Sequence, residues 1–206
     1  VLFEAQLGVL RDIDFGIFPY TSSSSPVAAY APIGAGAPGT VLDTVIGIVK
    51  AYSTCVGEGP FTAEWFGEEA EKLREAGGEY GAATGRPRRV GPLDIVATRY
   101  GVTMQAATCV ALTKMDILSY MDRIPVCVRY EVDGVETDEF PFPAALPKAK
   151  PVIEYMPGWQ CDISGVRTWE ELPKAARDYV QFIEKEIGAP IIYVSVGADR
   201  DAIILR

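Results

Sequence analysis

Four stretches of the chain carry residue types that could do chemistry. Thr113-Lys114-Met115-Asp116 follows the short apolar run Thr108–Leu112. A carboxylate placed there can accept two hydrogen bonds from the N1–H and exocyclic amine of guanine, a donor pair that adenine lacks. The Lys114 stem can lie flat against a purine. A site built on such a polar pair rejects the wrong base, because its buried groups would be left unpaired. The plainer reading is a helix start with Thr113 as N-cap. The second stretch, Gly81–Arg89, holds Arg86, Arg88 and Arg89 in a loop with two glycines. Guanidinium forks bind carboxylate and phosphate through paired hydrogen bonds, so this loop could capture an anionic substrate or be a solvated basic turn. The third combines the small-residue turn Glu4-Ala5-Gln6-Leu7-Gly8 with Thr21–Ser25, whose hydroxyls and backbone N–H groups could hold phosphate or form an ordinary loop. The fourth is Ser195–Arg200, a loop with Gly197 that follows an apolar run and could complete a nucleotide pocket.

The elements that must position these residues follow from periodicity and punctuation. Val1–Phe3 reads as a buried strand, and Ala5–Gly39 as an ordered loop pinned by Phe15, Phe18, Tyr20 and Tyr30. Val45–Val56 reads as a buried strand rich in β-branched residues. Glu68–Ala76 is helix-favouring and stops at Gly77-Gly78. Leu93–Met104 reads as a helix and Thr108–Leu112 as a strand. Val126–Val132 and Val135–Thr137 flank Asp133-Gly134, a hairpin signal. Pro141–Pro151 is proline-rich and extended. Trp169–Ile187 is amphipathic, with Pro173 near its start and Gly188 at its end. Ile191–Val194 and Ile203–Leu205 read as strands. The sum is an α/β fold: a mainly parallel central sheet with flanking helices and an inserted β-hairpin. In such folds ligands sit at the carboxyl ends of strands, where the loops after Leu112 and Val194 fall.

Bulk properties set limits. The chain has 206 residues, 49% of them apolar, and a net charge of −9, which argues against wholesale nucleic-acid binding. No apolar run approaches the roughly 20 residues that span a bilayer. Cys55, Cys109, Cys127 and Cys161 show no paired metal-ligand spacing, and there is no histidine to complete a zinc site. Reduced, mostly buried thiols are expected, which implies the cytoplasm.

Taken together, VLFEAQLG (1–8), DIDFGIFPYTSSSS (12–25), KAYSTCVGEGPF (50–61), EYGAATGRPRR (79–89), TKMD (113–116), YMPGW (155–159) and SVGADR (195–200) resemble the adenylosuccinate synthetase family, in its order and with similar gaps. The resemblance implies a homodimeric ligase of purine biosynthesis. Such an enzyme uses GTP, with magnesium, to phosphorylate the 6-oxygen of inosine monophosphate, and aspartate then displaces that phosphate. It implies that Thr84, Arg86 and Arg88 hold aspartate, with Val56 nearby. Arg88, Lys114, Asp116, Ser195 and Gly197 would bind GTP. Gln6, Thr21, Ser22 and Arg86 would hold inosine monophosphate. Four positions differ from the family's common pattern: Leu7 in the first turn, Cys55 for an arginine, Ala83 for a threonine and Ala198 for a proline. In the family the glycine-rich phosphate loop, the catalytic aspartate and the catalytic histidine lie N-terminal to this stretch. The chain, which opens on Val1, is therefore expected to be the C-terminal portion of one synthetase domain, inactive alone and with its magnesium ligands elsewhere. The alternatives are a related synthetase acting on a guanine monophosphate, or a non-catalytic nucleotide-binding derivative.

Overall fold

The computed structural model describes residues 1–206. After 3-10 turns at Val9–Arg11 and Ala28–Tyr30, the first α-helix is the short α1 (Ala31–Gly34). The order then runs β1 (Ile46–Lys50), β2 (Ser53–Cys55), α2 (Gly67–Gly77), β3 (Arg89–Gly91), β4 (Leu93–Asp94), α3 (Ile95–Gln105), β5 (Cys109–Thr113), β6 (Arg123–Val132), β7 (Val135–Thr137), β8 (Lys150–Pro157), α4 (Lys174–Ile187), β9 (Ile191–Ser195) and β10 (Ile203–Leu205). The central sheet has the order β1-β5-β9-β10. Its first three strands are parallel and β10 is antiparallel. β2 and β3 form a small antiparallel pair. A further sheet is built around β6, which pairs β4 in parallel and β7 and β8 in antiparallel register. The expected α/β architecture is present, with the hairpin assigned to Asp133-Gly134: both residues have positive φ, 50° and 84°, as a two-residue turn of this hand requires.

Packing explains the placement of the strand ends. The main core joins Val110 and Leu112 of β5, Ile191 and Val194 of β9, Val126 of β6, and Tyr179, Val180 and Ile183 of α4. α4 buries Ala176, Tyr179, Val180, Ile183 and Ile187, one apolar stripe of a 3.6-residue period. The buried Tyr179 hydroxyl donates to the Ala51 carbonyl at 2.7 Å and fixes the chain just beyond β1.

Five local expectations are corrected. Val1–Phe3 lies outside every sheet, and Val1 and Leu2 are exposed. Val45–Val56 is two strands, broken at the buried pair Ala51-Tyr52, where the chain leaves the central sheet to pair β3. Leu93-Asp94 is strand, and helix begins after Asp94, whose carboxylate accepts from the Ala97 N–H at 3.0 Å as N-cap. α4 starts at Lys174, since Pro173 is extended at ψ 144° and Trp169–Leu172 forms a separate turn. Pro141–Pro151 is not extended throughout: Leu146–Lys148 forms a 3-10 turn, and the chain then enters the eight-residue strand β8. Of the four free thiols, Cys109 and Cys127 are buried, Cys55 is half-buried and Cys161 is exposed.

Candidate functional site

β1, β5 and β9 are parallel neighbours, so their carboxyl ends lie along one edge of the sheet. Lys50 is the last residue of β1 and stands opposite Thr113, the last residue of β5. Ser195 ends β9, and its carbonyl accepts from the Met115 N–H at 3.2 Å. The stretches at 113–116 and 195–200 are thereby adjacent, as their strand-end positions led us to expect. The Thr113 hydroxyl donates to the Val49 carbonyl at 3.2 Å and caps no helix, since Met115 holds the N-cap position of the turn that follows. Asp116 instead opens a 3-10 turn at 116–120 with no side-chain cap. Burial raises its pKa, opposed by nearby backbone N–H groups and by the charge of Lys114.

The loop at 81–88 is closed at its base by a bridge between Tyr80 and Pro87. Arg86 and Thr84 are exposed on it, and the Thr84 hydroxyl accepts from the Arg86 N–H at 3.3 Å. Arg88 turns inward. Its guanidinium reaches Glu79 Oε2 at 2.7 Å. Glu79 is fully enclosed and also receives Lys50 Nζ at 2.9 Å and the Tyr52 hydroxyl at 2.6 Å. Lys114 Nζ lies 3.3 Å from the same carboxylate and donates to the Gly77 carbonyl at the end of α2, at 2.6 Å. A cation at a helix C-terminus is favourable because the last carbonyls point at it. Lys114 has φ 61°, a left-handed conformation a non-glycine residue adopts at some cost, and such strain is held at functional sites by surrounding contacts. With its ammonium anchored, the lysine stem is left as a surface on which a flat ring can rest. Burial pushes the Glu79 pKa up, but hydrogen bonds from Tyr52, Lys50 and Arg88 outweigh it and bring it to about 2. Burial lowers the pKa of Lys50 against the pull of Glu79, with Lys114 and Arg88 adding like-charge repulsion. Three cations face the Glu79 carboxylate, and even with the Asp116 carboxylate close by the strand ends keep a positive excess. Such a place binds anions.

The third stretch is held by a different arginine. Arg11 donates to the Tyr20 carbonyl at 2.6 Å, the Val56 carbonyl at 2.8 Å and Cys55 Sγ at 2.9 Å. It ties the serine-rich loop to Val56, which is exposed beside it. Ser22 Oγ donates to the Arg11 carbonyl at 2.9 Å, so this hydroxyl serves the loop itself. Asp12 organises the rest: its carboxylate accepts from Ser25 Oγ and from the Asp14 and Phe15 N–H groups. Thr21 is half-buried, and Gln6 is exposed on a turn where Leu7 and Gly8 both have positive φ. No hydrogen bond joins Gln6, Thr21 or Ser22 to the Glu79 cluster. Ser195 Oγ donates to the Gly197 carbonyl at 2.9 Å, and a Cβ on Gly197 would press on Ala202 at 3.1 Å. No group of three or more His, Cys, Asp or Glu side chains comes together here, so these residues do not fit an all-protein magnesium cage.

The structure thus brings Arg88, Lys114 and Lys50 together and places Asp116, Ser195 and Gly197 on the same edge. Lys50, Tyr52, Glu79 and Arg11 were not identified from residue types. Lys50, Tyr52 and Glu79 fall inside the stretches 50–61 and 79–89 as neighbours of more conspicuous residues, and Arg11 falls between 1–8 and 12–25, outside both.

Comparison with known proteins gives this geometry a family. The family model described as adenylosuccinate synthetase matches residues 1–204. A curated adenylosuccinate synthetase from Synechococcus sp. (strain CC9902) is 48% identical over 206 residues, covering 100% of this chain and 47% of the relative. One from Mycobacterium marinum (strain ATCC BAA-535 / M) is 47% identical over 207 residues, covering 100% and 48%. Among solved structures, fully ligated adenylosuccinate synthetase from Plasmodium falciparum matches with a TM-score of 0.89 at 35% identity, over 96% of this chain and 48% of that one. A cyanophage S-2L succinoaminodeoxyadenylate synthetase shares the fold at a TM-score of 0.57 and 15% identity, over 96% and 44%. This chain spans about half the length of the curated relatives it matches. With a family model over nearly every residue and curated relatives 47–48% identical across the whole chain, the chain belongs to the adenylosuccinate synthetase family.

Proposed function

We propose that this chain supplies the guanine-nucleotide and aspartate subsites of a ligase that joins L-aspartate to inosine monophosphate at the expense of GTP. The observation that carries the reading is the convergence of Arg88, Lys50 and Lys114 on Glu79 beside Asp116 and Ser195. Asp116 accepts from the guanine N1–H and exocyclic amine, the Lys114 stem packs on the ring, and Ser195 and Gly197 close over it. Arg88 faces the ribose and the aspartate. Thr84 and Arg86, exposed at the loop tip, reach the aspartate carboxylates near Val56, and Arg86 also faces the inosine monophosphate held by Gln6, Thr21 and Ser22.

The reaction transfers the γ-phosphoryl of GTP to the 6-oxygen of the purine, and the aspartate amine then displaces phosphate to form the new C–N bond. The groups that deprotonate the purine and hold magnesium are proposed to lie in the rest of the domain, of which this chain is the C-terminal portion. The isolated chain is accordingly inactive. The family resemblance further supports a homodimer working in the cytoplasm. The test is adenylosuccinate formation by the full-length protein with inosine or guanosine monophosphate as acceptor. Turnover with inosine monophosphate supports the reading. Turnover only with the guanine nucleotide, or none with either, rejects it.

A further inference from the structure

Glu79 has no place in the chemistry just assigned, yet it is the most enclosed charge of the site. It lies at the end of α2, and its backbone is fixed from both sides: its N–H donates to the Arg74 carbonyl at 2.9 Å and its carbonyl accepts from the Arg88 N–H at 2.9 Å. Tyr52 fixes the side chain from within the core. Gly77 makes room for that contact, because a Cβ there would stand 2.3 Å from the Tyr52 hydroxyl. The carboxylate can therefore move very little.

A buried carboxylate needs one good cation and satisfied lone pairs to offset its desolvation. Glu79 has three cations, which repel one another. Their side chains are each about a third exposed, at 27%, 32% and 34%, while Glu79 is at 0%. Charge is thus hidden on the negative side and presented on the positive side. Lys50 comes from β1, Arg88 from the arginine loop and Lys114 from the end of β5. A single rigid acceptor holds three cations from three separate elements.

We propose that Glu79 is a positioning residue that couples the aspartate and GTP subsites by holding Arg88, Lys114 and Lys50 as one cationic wall. This rests on the assignment of Arg88 and Lys114 above. Neither the arginine loop nor the strand end can shift without disturbing the other's anchor, so one ligand orders the site for the second. Of the inosine monophosphate subsite only Arg86 rides on the arginine loop; Thr21 and Ser22, tied through Arg11, and Gln6 make no bond to Glu79, so this subsite is coupled far less.

The experiment measures separate KM values in the full-length protein. In Glu79→Gln the KM for GTP and for aspartate both rise, by about tenfold or more, the scale of a lost charge-assisted bond. The KM for inosine monophosphate stays within about twofold, and Glu79→Asp recovers part of both losses. Unchanged KM values for GTP and aspartate, or an equal rise in all three, overturn the proposal. If Glu79→Gln does not fold, Tyr52→Phe takes its place. It removes one bond to Glu79, from an uncharged donor, and raises the GTP and aspartate KM values together by a smaller factor; no joint rise overturns the proposal. Should the wild-type protein form no adenylosuccinate, the functional reading fails by itself. GTP affinity of wild type and Glu79→Gln by calorimetry then decides the role of Glu79, and equal affinities reject it.

Discussion

Asp116→Asn exchanges one acceptor oxygen for a donor at the position assigned to the guanine edge. GTP binding to the full-length protein should weaken by about 1.5–3 kcal/mol, the scale for hydrogen bonds to a charged group. Calorimetry showing equal GTP affinity removes the assignment. Arg86 is exposed and makes no ion pair within the chain, so its charge is available to a ligand. Arg86→Leu should raise the KM for aspartate far more than that for GTP, and an unchanged aspartate KM would sink its role. Both residues were legible in the sequence, because an arginine-rich loop and a carboxylate after an apolar strand are local patterns. Glu79 was not. Its role depends on partners at 50, 52, 88 and 114, brought together by parallel pairing and by the packing of α2. Beside a Gly-rich loop, one glutamate reads only as a helix flank.

Elements were legible where the punctuation was local. The Asp133-Gly134 hairpin and the Gly188 stop of α4 follow from single turns. β8 was hidden by Pro151 and Pro157, which a strand paired only to β6 tolerates at its open edge. The same strand leads into Gly158, where a Cβ would stand 1.9 Å from the Met121 carbonyl oxygen. Gly158→Ala should therefore destabilise by about 1–3 kcal/mol or more, the cost of overpacking against backbone. An unaltered unfolding midpoint would contradict this contact. The junction of β4 and α3 gives a pH test. Burial raises the Asp94 pKa to about 6, against the N-cap bond and the Tyr130 hydroxyl. A raised carboxyl means that the folded state holds its proton more tightly. Its contribution is fully present below the ordinary value of 3.8 and is lost as pH rises through about 6. Glu79 runs the other way: its stabilisation is present above 4.5 and is lost as pH falls through about 2. Asp94→Asn should flatten the fall in stability between 3.8 and about 6 while leaving the acid limb set by Glu79. A slope identical to wild type in chemical denaturation across that window would refute it.

At the scale of the molecule, the parallel order β1-β5-β9 aligns three strand ends, with Lys50, Lys114 and Ser195 at or just beyond them. Alternating strands and helices made this α/β arrangement readable in advance. The division into a central sheet and a second sheet around β6 was not, since long-range pairing leaves little local trace. The cationic strand-end site, with Asp116 beside it, is proposed to read a guanine nucleotide. The most direct test is donor preference: adenylosuccinate formation by the full-length protein from inosine monophosphate and aspartate, with GTP or ATP as phosphoryl donor. Turnover with GTP far exceeding that with ATP, and a narrowed preference in Asp116→Asn, is the predicted result. ATP serving as well as GTP in the wild-type protein would contradict the claim.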